Sequence, residues 1–290
     1  MSCLDDKRLK MTLKEFHKLF FEELSLKFAK NELDSFFFIL IKHSCDFERI
    51  DFILNPKVDL LKDQENFLIN SILLLQKETP VQYIVGQTEF MNLNFTVNKN
   101  VLIPRPETEE LVKWIIQDSE KGKNILDIGT GSGCIAISLD KYLPECQIYA
   151  WDVCAKALEI AEKNAKNNKS SVKFEMVDII EKIKSKSMFD IIVSNPPYVT
   201  QSEKNKMHNN VLLHEPHLAL FVDDDKPLFF YKKILDFSKT NLKKNGIIYF
   251  EINEQFSKDF NKLLKEEGFY DIEIKKDFRS KNRMVRAYKL

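Results

Sequence analysis

The chain has 290 residues, of which 44% are hydrophobic and 30% charged, and its 44 basic residues balance 44 acidic ones. This composition excludes a disordered chain, and the zero net charge excludes a global field that would attract nucleic acid or anionic lipid. The longest apolar run, residues 36–41, is far shorter than the roughly 18 residues that span a bilayer. Residues 1–10 lack the order of a secretory signal. We therefore expect a cytoplasmic protein with one large and one small domain.

The five cysteines are an odd number and contain no CxxC pair. No Cys/His cluster has the spacing of a zinc site, so the sequence supports neither a disulfide framework nor a metal centre. His214 and His217 flank a Glu-Pro step but lack a third ligand at a known spacing. We interpret them as part of a structural loop.

The first part of the chain has the apolar period of helices. The stripe Leu9, Leu13, Phe16, Phe20 and Leu24 recurs at steps of three and four, which is typical of an amphipathic helix. Further helical runs follow at residues 35–43, 46–54 and 64–76. Pro80 is expected to end the last run, because proline cannot donate to the helix ladder. Residues 1–79 are thus predicted to form a small helical-bundle domain.

Residues 80–104 have a different pattern. Here β-branched and aromatic residues at 83–86 and 94–97 are broken by turn formers, which predicts a β-hairpin linker. From residue 105 to residue 290 a first helix at 107–117 is followed by strands alternating with helices. The predicted strands are residues 124–128, 147–153, 172–177, 189–194 and 246–252.

Such alternation indicates an α/β domain, residues 105–290, with a parallel sheet covered on both faces. Ligands are expected at the carboxyl ends of its strands. Two further extended runs, 272–276 and 284–290, predict a hairpin that ends on an antiparallel last strand.

Three of the seven glycines lie within five residues, directly after the strand 124–128. Glycine there permits a tight turn and a close approach of a ligand at the start of a helix. The spacing GxGxG, shorter than the GxGxxG of dinucleotide sites, favours S-adenosylmethionine. The predicted cofactor contacts are Gly129, Thr130, Gly131, Ser132 and Gly133. The alternative is a tight turn without a ligand.

Two acids follow later strands. Asp152 ends the strand 147–153, about twenty residues after the glycines, where a ribose-binding acid is expected. Asp178 follows the next strand and can accept a bond from the adenine amino group, while Ile179 packs on the adenine ring. The alternative for each acid is a helix N-cap.

The fourth strand leads directly into Asn195-Pro-Pro-Tyr198. The prolines remove two N–H donors, which leaves acceptors at the strand end. An amide or ring NH2 group is a poor nucleophile because its lone pair is delocalised, so both of its hydrogens must be held. Asn195 Oδ1 and the Pro196 carbonyl are the predicted catalytic acceptors, with Tyr198 stacking on the planar group and Pro197 completing the substrate site. Asn195 is also expected to contact the cofactor. The alternative is a rigid turn.

With these residues in place, the chain resembles the HemK/PrmC family, the N5-glutamine methyltransferases of class I peptide-chain release factors. The matching segments span essentially the whole chain: Pro80-Val-Gln-Tyr83, Gly86 with Glu89-Phe90, residues 103–109 (IPRPETE), residues 126–133 (LDIGTGSG), residues 194–198 (SNPPY) and residues 214–220 (HEPHLAL). NPPY alone also occurs in adenine and guanine amino-methyltransferases, whereas the segment 104–109 is more particular to this family. The chain departs from the family pattern at residues 225–228 and at Asn253, where the family usually has glycine.

The resemblance implies a class I S-adenosylmethionine-dependent methyltransferase fold, Rossmann-like, with a seven-stranded sheet and an antiparallel last strand. It implies S-adenosylhomocysteine as product and no metal. The helical domain would recognise the release factor, and the methylated residue would be the glutamine of its Gly-Gly-Gln loop.

Two other functions stay open at this point. One is methylation of an exocyclic amino group of adenine or guanine in DNA or RNA, for which the basic tail between Lys275 and Lys289 would be a contact surface, unless it is a solvated hairpin. The other is a binding module that has lost catalysis. The intact glycine loop, Asp152 and NPPY argue against the binding module. The zero net charge and the segment 104–109 argue against nucleic acid.

Overall fold

The computed structural model describes residues 10–181, 183 and 188–290. The chain divides into two compact units, Met1–Gly86 and Gln87–Leu290. The division falls within the segment 80–104 that was predicted to be a linker.

The described part of the first unit is helical. Its helices are α1 (Leu13–Leu24), α2 (Lys30–Cys45), α3 (Arg49–Leu54), α4 (Lys62–Gln76) and α5 (Val81–Val85). Helix α1 begins with a capping box, in which the Glu15 amide donates to Thr12 Oγ1 (3.3 Å) and the Thr12 amide donates to the Glu15 carboxylate (2.8 Å). The predicted stripe is buried from Leu13 to Leu24, and Leu9 lies outside the described residues.

The expectation of extended structure at residues 83–86 is wrong, because Val81–Val85 is a short helix. Val81 and Val85 lie one turn apart and both pack into the core of the first unit. Gly86 ends the helix with a φ of 73°, in the left-handed region that glycine adopts readily. Burial of the two valines on one helical face outweighs the strand propensity of β-branched residues.

The second unit contains a large sheet covered by helices. Its strands are β1 (Gln87–Phe90), β2 (Leu93–Thr96), β3 (Asn124–Ile128), β4 (Gln147–Asp152), β5 (Lys173–Met176), β6 (Phe189–Ser194), β7 (Val199–Thr200), β8 (Phe221–Val222), β9 (Leu242–Glu251), β10 (Phe269–Lys276) and β11 (Asn282–Lys289). Its α-helices are α6 (Pro106–Asp118), α7 (Cys134–Tyr142), α8 (Ala155–Asn167), α9 (Asn209–His214), α10 (Phe229–Asn241) and α11 (Ser257–Glu266).

Seven strands form the main sheet in the order β10-β11-β9-β6-β3-β4-β5. Strands β5, β4, β3, β6 and β9 are parallel, whereas β11 runs antiparallel to both β9 and β10. The predicted α/β fold, with a seven-stranded sheet and an antiparallel last strand, is confirmed.

Apolar faces of the helices cover both sides of this sheet. Leu111 and Ile115 of α6 and Ile137 of α7 belong to one buried cluster. Leu235 of α10 and Leu264 of α11 belong to the cluster on the other side. The strand order reverses between β3 and β6, so a crevice is expected at the carboxyl ends of these two strands.

The β1–β2 hairpin packs beside this sheet. Its two turn residues, Met91 and Asn92, both have positive φ (51° and 56°), as a two-residue hairpin of this kind requires. The Met91 amide donates to Glu109 of α6 at 2.7 Å, and its carbonyl accepts from the Tyr142 hydroxyl at 2.8 Å. Asn164 of α8 forms a reciprocal pair with the backbone of Thr96 (2.7 and 3.0 Å). These bonds hold the hairpin against α6, α7 and α8.

The close packing of Gly133 between α7 and α8 leads to a prediction about the stability of the second unit. It has a φ of 82°, and a Cβ there would lie 2.8 Å from Ile137 Cδ1 and 3.2 Å from Ala161 Cβ. We expect Gly133→Ala to lower the free energy of unfolding of the second unit by about 2–5 kcal/mol, combining left-handed strain of about 1–2 with overpacking of about 1–3. Chemical denaturation followed by the fluorescence of Trp114 and Trp151 measures it.

Gly129→Ala is the matched control. Its φ is 76°, but an added Cβ would meet nothing within 4 Å. It should lose only the strain contribution of about 1–2 kcal/mol. Equal losses in the two variants would contradict the packing role of Gly133.

Candidate active site

The glycine loop begins where β3 ends. The Gly129 and Thr130 amides donate to the Trp151 carbonyl at 2.8 and 3.0 Å, which ties the loop to β4. Gly129 and Gly131 have positive φ, and an added Cβ on either would meet nothing within 4 Å. Thr130 and Ser132 are buried beneath the loop. The loop is therefore open at Gly129 and Gly131, whereas Gly133 packs against Ala161 of α8.

Asp152 lies at the end of β4 beside this loop. Its carboxylate accepts from the Gly131 amide at 2.8 Å and from the Cys154 amide at 2.9 Å. Burial raises the pKa of Asp152 above its ordinary value, and these backbone donors offset part of that rise. Cys154 is the residue at the start of α8, and no side chain caps that helix. The N-cap alternative for Asp152 thus does not describe its contacts, which join the glycine loop to the end of β4.

Asp178 and Ile179 follow β5, the next strand along the edge. One Asp178 oxygen accepts from the Ile180 amide at 2.8 Å, and this carboxylate is half-buried. Ile179 is half-buried against the cluster on the α10 side of the sheet. Both residues therefore lie at the carboxyl end of the sheet. They follow β5, which is separated from β3 and its glycine loop by β4.

Asp127 is a residue that sequence reasoning missed. It is fully buried in β3, where one oxygen accepts from the Thr130 hydroxyl at 2.7 Å and the other has no hydrogen-bond partner of ordinary geometry among the described residues. Burial raises the pKa of Asp127 to about 7, and the charge of Asp152 adds to the rise. A positive charge nearby would stabilise a buried carboxylate that is incompletely paired. The available signal was an acid in the strand two residues before Gly129.

The NPPY loop begins where β6 ends, next to the glycine loop. Ser194 pairs with Ile128 in the parallel ladder, and its hydroxyl donates to the Ile128 carbonyl at 2.6 Å. The Asn195 amide nitrogen donates to Thr108 Oγ1 at 3.4 Å. No residue in the described ranges donates to Asn195 Oδ1. This oxygen is therefore available as an acceptor.

Tyr198 is fixed by its hydroxyl, which donates to Glu251 at 2.9 Å. Burial and the neighbouring Glu251 carboxylate raise the pKa of Tyr198 well above its ordinary range. Glu251 is itself buried at the end of β9 and accepts from the Thr108 hydroxyl at 2.6 Å. Burial raises the pKa of Glu251, while the Thr108 and Tyr198 hydroxyls and Arg283 counteract that rise.

A cavity of about 60 Å³ opens beside this loop. It is lined by Leu102, Arg105, Asn195, Pro196, Tyr198, Val199, Ala219, Leu220 and Glu251. Arg105 forms an ion pair with the buried Glu215, which also accepts from the Ile103 amide at 3.2 Å. The pair joins the segments 103–109 and 214–220, which both carried the family resemblance, into one wall of the cavity.

Arg105, Thr108, Glu215 and Glu251 were not predicted as site residues. Arg105, Thr108 and Glu215 stood in segments that resemble the family, and Glu251 lies two residues before the departure at Asn253. Their hydrogen-bond partners in the site are more than 50 residues away in sequence. His217 Nε2 donates to the Leu212 carbonyl at 2.8 Å, a contact within the segment that was interpreted as a structural loop. Within the described ranges, no three His, Cys, Asp or Glu side chains lie close enough together to hold a metal ion.

The basic tail is largely engaged within the protein. Arg286 bridges Asp118 and Glu273 at 2.7 Å each, and Arg283 pairs with Asp277 at 3.2 Å. The described part of the chain contains no helix long and apolar enough to cross a membrane.

The chain is similar to known methyltransferases. Residues 107–225 match the family model described as Methyltransferase small domain. A protein named Release factor glutamine methyltransferase from Flavobacterium psychrophilum is 45% identical, covering 96% of this chain and 99% of that protein. One of the same name from Bacteroides thetaiotaomicron is 44% identical, covering 83% and 87%.

A crystal structure of a methyltransferase from Pyrococcus furiosus has the same fold, with a TM-score of 0.52 at 16% identity, and covers 79% of this chain and 99% of that chain. The identity over nearly the full length of the Flavobacterium protein exceeds what a shared fold alone produces. This chain therefore belongs to the release factor glutamine methyltransferase family.

Proposed function

We propose that this chain transfers a methyl group from S-adenosylmethionine to N5 of the glutamine in the Gly-Gly-Gln loop of class I peptide-chain release factors. The product from the cofactor is S-adenosylhomocysteine. The observation that carries the proposal is the juxtaposition of the open glycine loop with Asn195 at adjoining strand ends, in a chain 45% identical to a protein named for this activity.

The cofactor would lie along the carboxyl ends of β3, β4 and β5. The open space above Gly129 and Gly131 admits a close ligand, and the charge of the Asp127 carboxylate, buried beside the loop, would favour a cationic group such as the methionine ammonium nearby. Asp152 would accept from the ribose hydroxyls. Asp178 and Ile179 would hold the adenine. When bound, the cofactor supplies an electrophilic methyl on a sulfonium, and this chemistry needs no metal.

The residues after β6 would prepare the amide nitrogen for attack. Asn195 Oδ1 and the Pro196 carbonyl each accept one hydrogen of the glutamine NH2, which draws the nitrogen towards a tetrahedral geometry. Tyr198 and Pro197 hold the planar amide. A strong base is unnecessary, because the proton becomes acidic only once the nitrogen is alkylated.

A glutamine side chain is the better substrate for this site than a nucleic-acid base. It is slender, and flanking glycines let a protein loop bring it close to the cavity. A base would have to leave its stack at a cost of a few kcal/mol. The net charge is zero and the arginines of the tail are paired internally, so little holds a phosphate backbone.

The helical first unit is proposed to contribute to recognition of the release factor. Its exposed apolar side chains include Ile50, Ile53 and Leu54 of α3. A substrate of this kind places the reaction where translation terminates, in the cytoplasm.

The first prediction from this function concerns Asp152. Replacing it with alanine should weaken S-adenosylmethionine binding by about 1.5–3 kcal/mol, or roughly 10–150-fold in Kd, because charge-assisted bonds to the ribose are lost. Isothermal titration calorimetry measures the affinity. Glu159→Ala, which removes an exposed acid on α8, is the control and should bind normally. Unchanged affinity in a folded Asp152→Ala protein would refute the assignment.

The second prediction concerns Asn195. Asn195→Ala should fold and bind cofactor but lose about 10²–10³-fold in kcat, the usual scale for one preorganised polar contact in a transition state. Single-turnover assays with saturating cofactor measure the chemical step. Turnover close to that of the wild type would exclude the proposed role.

The third prediction concerns the substrate. Enzyme and labelled cofactor are incubated with a release factor, with its Gln→Ala variant at the Gly-Gly-Gln loop, and with duplex or structured nucleic acid. Label should enter only the unmodified release factor, with a mass gain of one methyl on that glutamine. Label in nucleic acid alone, or equal labelling of the alanine variant, would overturn the proposal.

A further inference from the structure

Glu251 connects three elements around the NPPY loop. From the end of β9 its two oxygens accept from Thr108, in the first turn of α6, and from Tyr198. Glu251 and Thr108 are each only 2% exposed. The two hydrogen bonds, 2.6 and 2.9 Å long, commit both hydroxyl protons to the carboxylate. In any further contact, each hydroxyl can therefore act only as a hydrogen-bond acceptor.

A threonine hydroxyl has one proton and two lone pairs. Because the Thr108 proton points to Glu251, Thr108 offers only lone pairs to Asn195. The Asn195 side chain meets it with its NH2 group, at 3.4 Å. The opposite amide orientation would set two acceptor oxygens against each other. The charge on Glu251 thus excludes one of the two orientations of the Asn195 amide.

We propose that Glu251 and Thr108 are positioning residues, which orient the Asn195 amide so that Oδ1 faces the substrate and not the protein. This inference rests on the proposed function, since it concerns the acceptor for the glutamine NH2. Glu251 acts through Thr108 on Asn195, and it holds the Tyr198 ring through the phenol hydroxyl. Neither Glu251 nor Thr108 needs to touch the transferred methyl group.

Arg283 completes the surroundings of the carboxylate. Its guanidinium lies 6.0 Å from the centre of the Tyr198 ring, held by Asp277 at 3.2 Å and by the Ile252 carbonyl at 3.0 Å. Its positive charge favours the ionised form of Glu251. The ionised carboxylate accepts from both hydroxyls. It thereby keeps the direction of each hydrogen bond in the series from Asn195 through Thr108 to Glu251.

The test compares Thr108→Val, which keeps the shape but removes the hydroxyl, with Thr108→Ser, which retains the hydroxyl. Thr108→Val should lower kcat for release-factor methylation by about 10–100-fold, less than the full loss of the acceptor, because the Asn195 amide becomes free to turn. Its KM for the release factor and its calorimetric Kd for S-adenosylmethionine should stay within about threefold. Thr108→Ser should recover most of the kcat.

A double-variant cycle separates positioning from a general structural role. If Thr108 acts through Asn195, Thr108→Val combined with Asn195→Ala should be no slower than Asn195→Ala alone. Ser238→Ala, which removes a buried hydroxyl from α10, serves as the control and should keep the wild-type kcat. Because Thr108→Val removes a partner of a buried carboxylate, Glu251→Gln is the second variant. Its amide has one acceptor oxygen for two hydroxyls, so it should lower kcat, and because it also loosens Tyr198 its loss should be partly, not fully, non-additive with that of Asn195→Ala.

A wild-type kcat in both Thr108→Val and Glu251→Gln, or losses that add fully to that of Asn195→Ala, would overturn the inference. Failure of the proposed function itself would give a different experimental result. In that case the wild-type enzyme would leave the release factor unlabelled, or Asn195→Ala would methylate it at the normal rate.

Discussion

The parallel pairing of β3 with β6 is the constraint on which the site depends. Ile128 and Ser194 are direct partners at the ends of these strands, and the Ser194 hydroxyl donates to the Ile128 carbonyl at 2.6 Å. Since both strands stop at the same level, Gly129 and Asn195 begin their loops side by side. The reversal of strand order at this point leaves the crevice above them uncovered by a crossover helix. A cofactor loop and a substrate loop thereby share one edge of the sheet.

Several buried or half-buried acids lie at the same edge of the sheet, and their hydrogen-bond partners differ. Asp152 accepts from backbone amides, Glu215 pairs with Arg105, and Glu251 accepts from two hydroxyls. Asp127 accepts from the Thr130 hydroxyl, and its other oxygen, also buried, has no hydrogen-bond partner within the part of the chain that the structure describes. Burial of an incompletely paired carboxylate costs free energy, and the pKa of Asp127, raised to about 7, expresses that cost. A cationic ligand at this edge would offset it.

Amide side chains tie the neighbouring segments to the two loops. Asn164 donates to the Ser132 carbonyl at 2.9 Å while it pairs with Thr96, so the hairpin is linked to the glycine loop. Asn253, one of the departures from the family pattern, donates to the Tyr198 carbonyl at 3.2 Å. Its φ of −75° is ordinary for any residue, so the position does not require glycine here. In this chain the departure adds a contact to the NPPY loop.

The sequence by itself determined the helical first unit, the alternation of strands and helices, and the two loops, because helical period, glycine clustering and paired prolines act within a few neighbouring residues. It was wrong at residues 83–86, where burial of Val81 and Val85 favours a helix over local strand propensity. Only the tertiary structure decided what surrounds Asn195. Thr108 and Glu251 are 143 residues apart and meet because β9 pairs beside β6, with α6 packed on the same sheet. The direction of that hydrogen bond, and so the orientation of the Asn195 amide, depends on contacts that no local pattern contains.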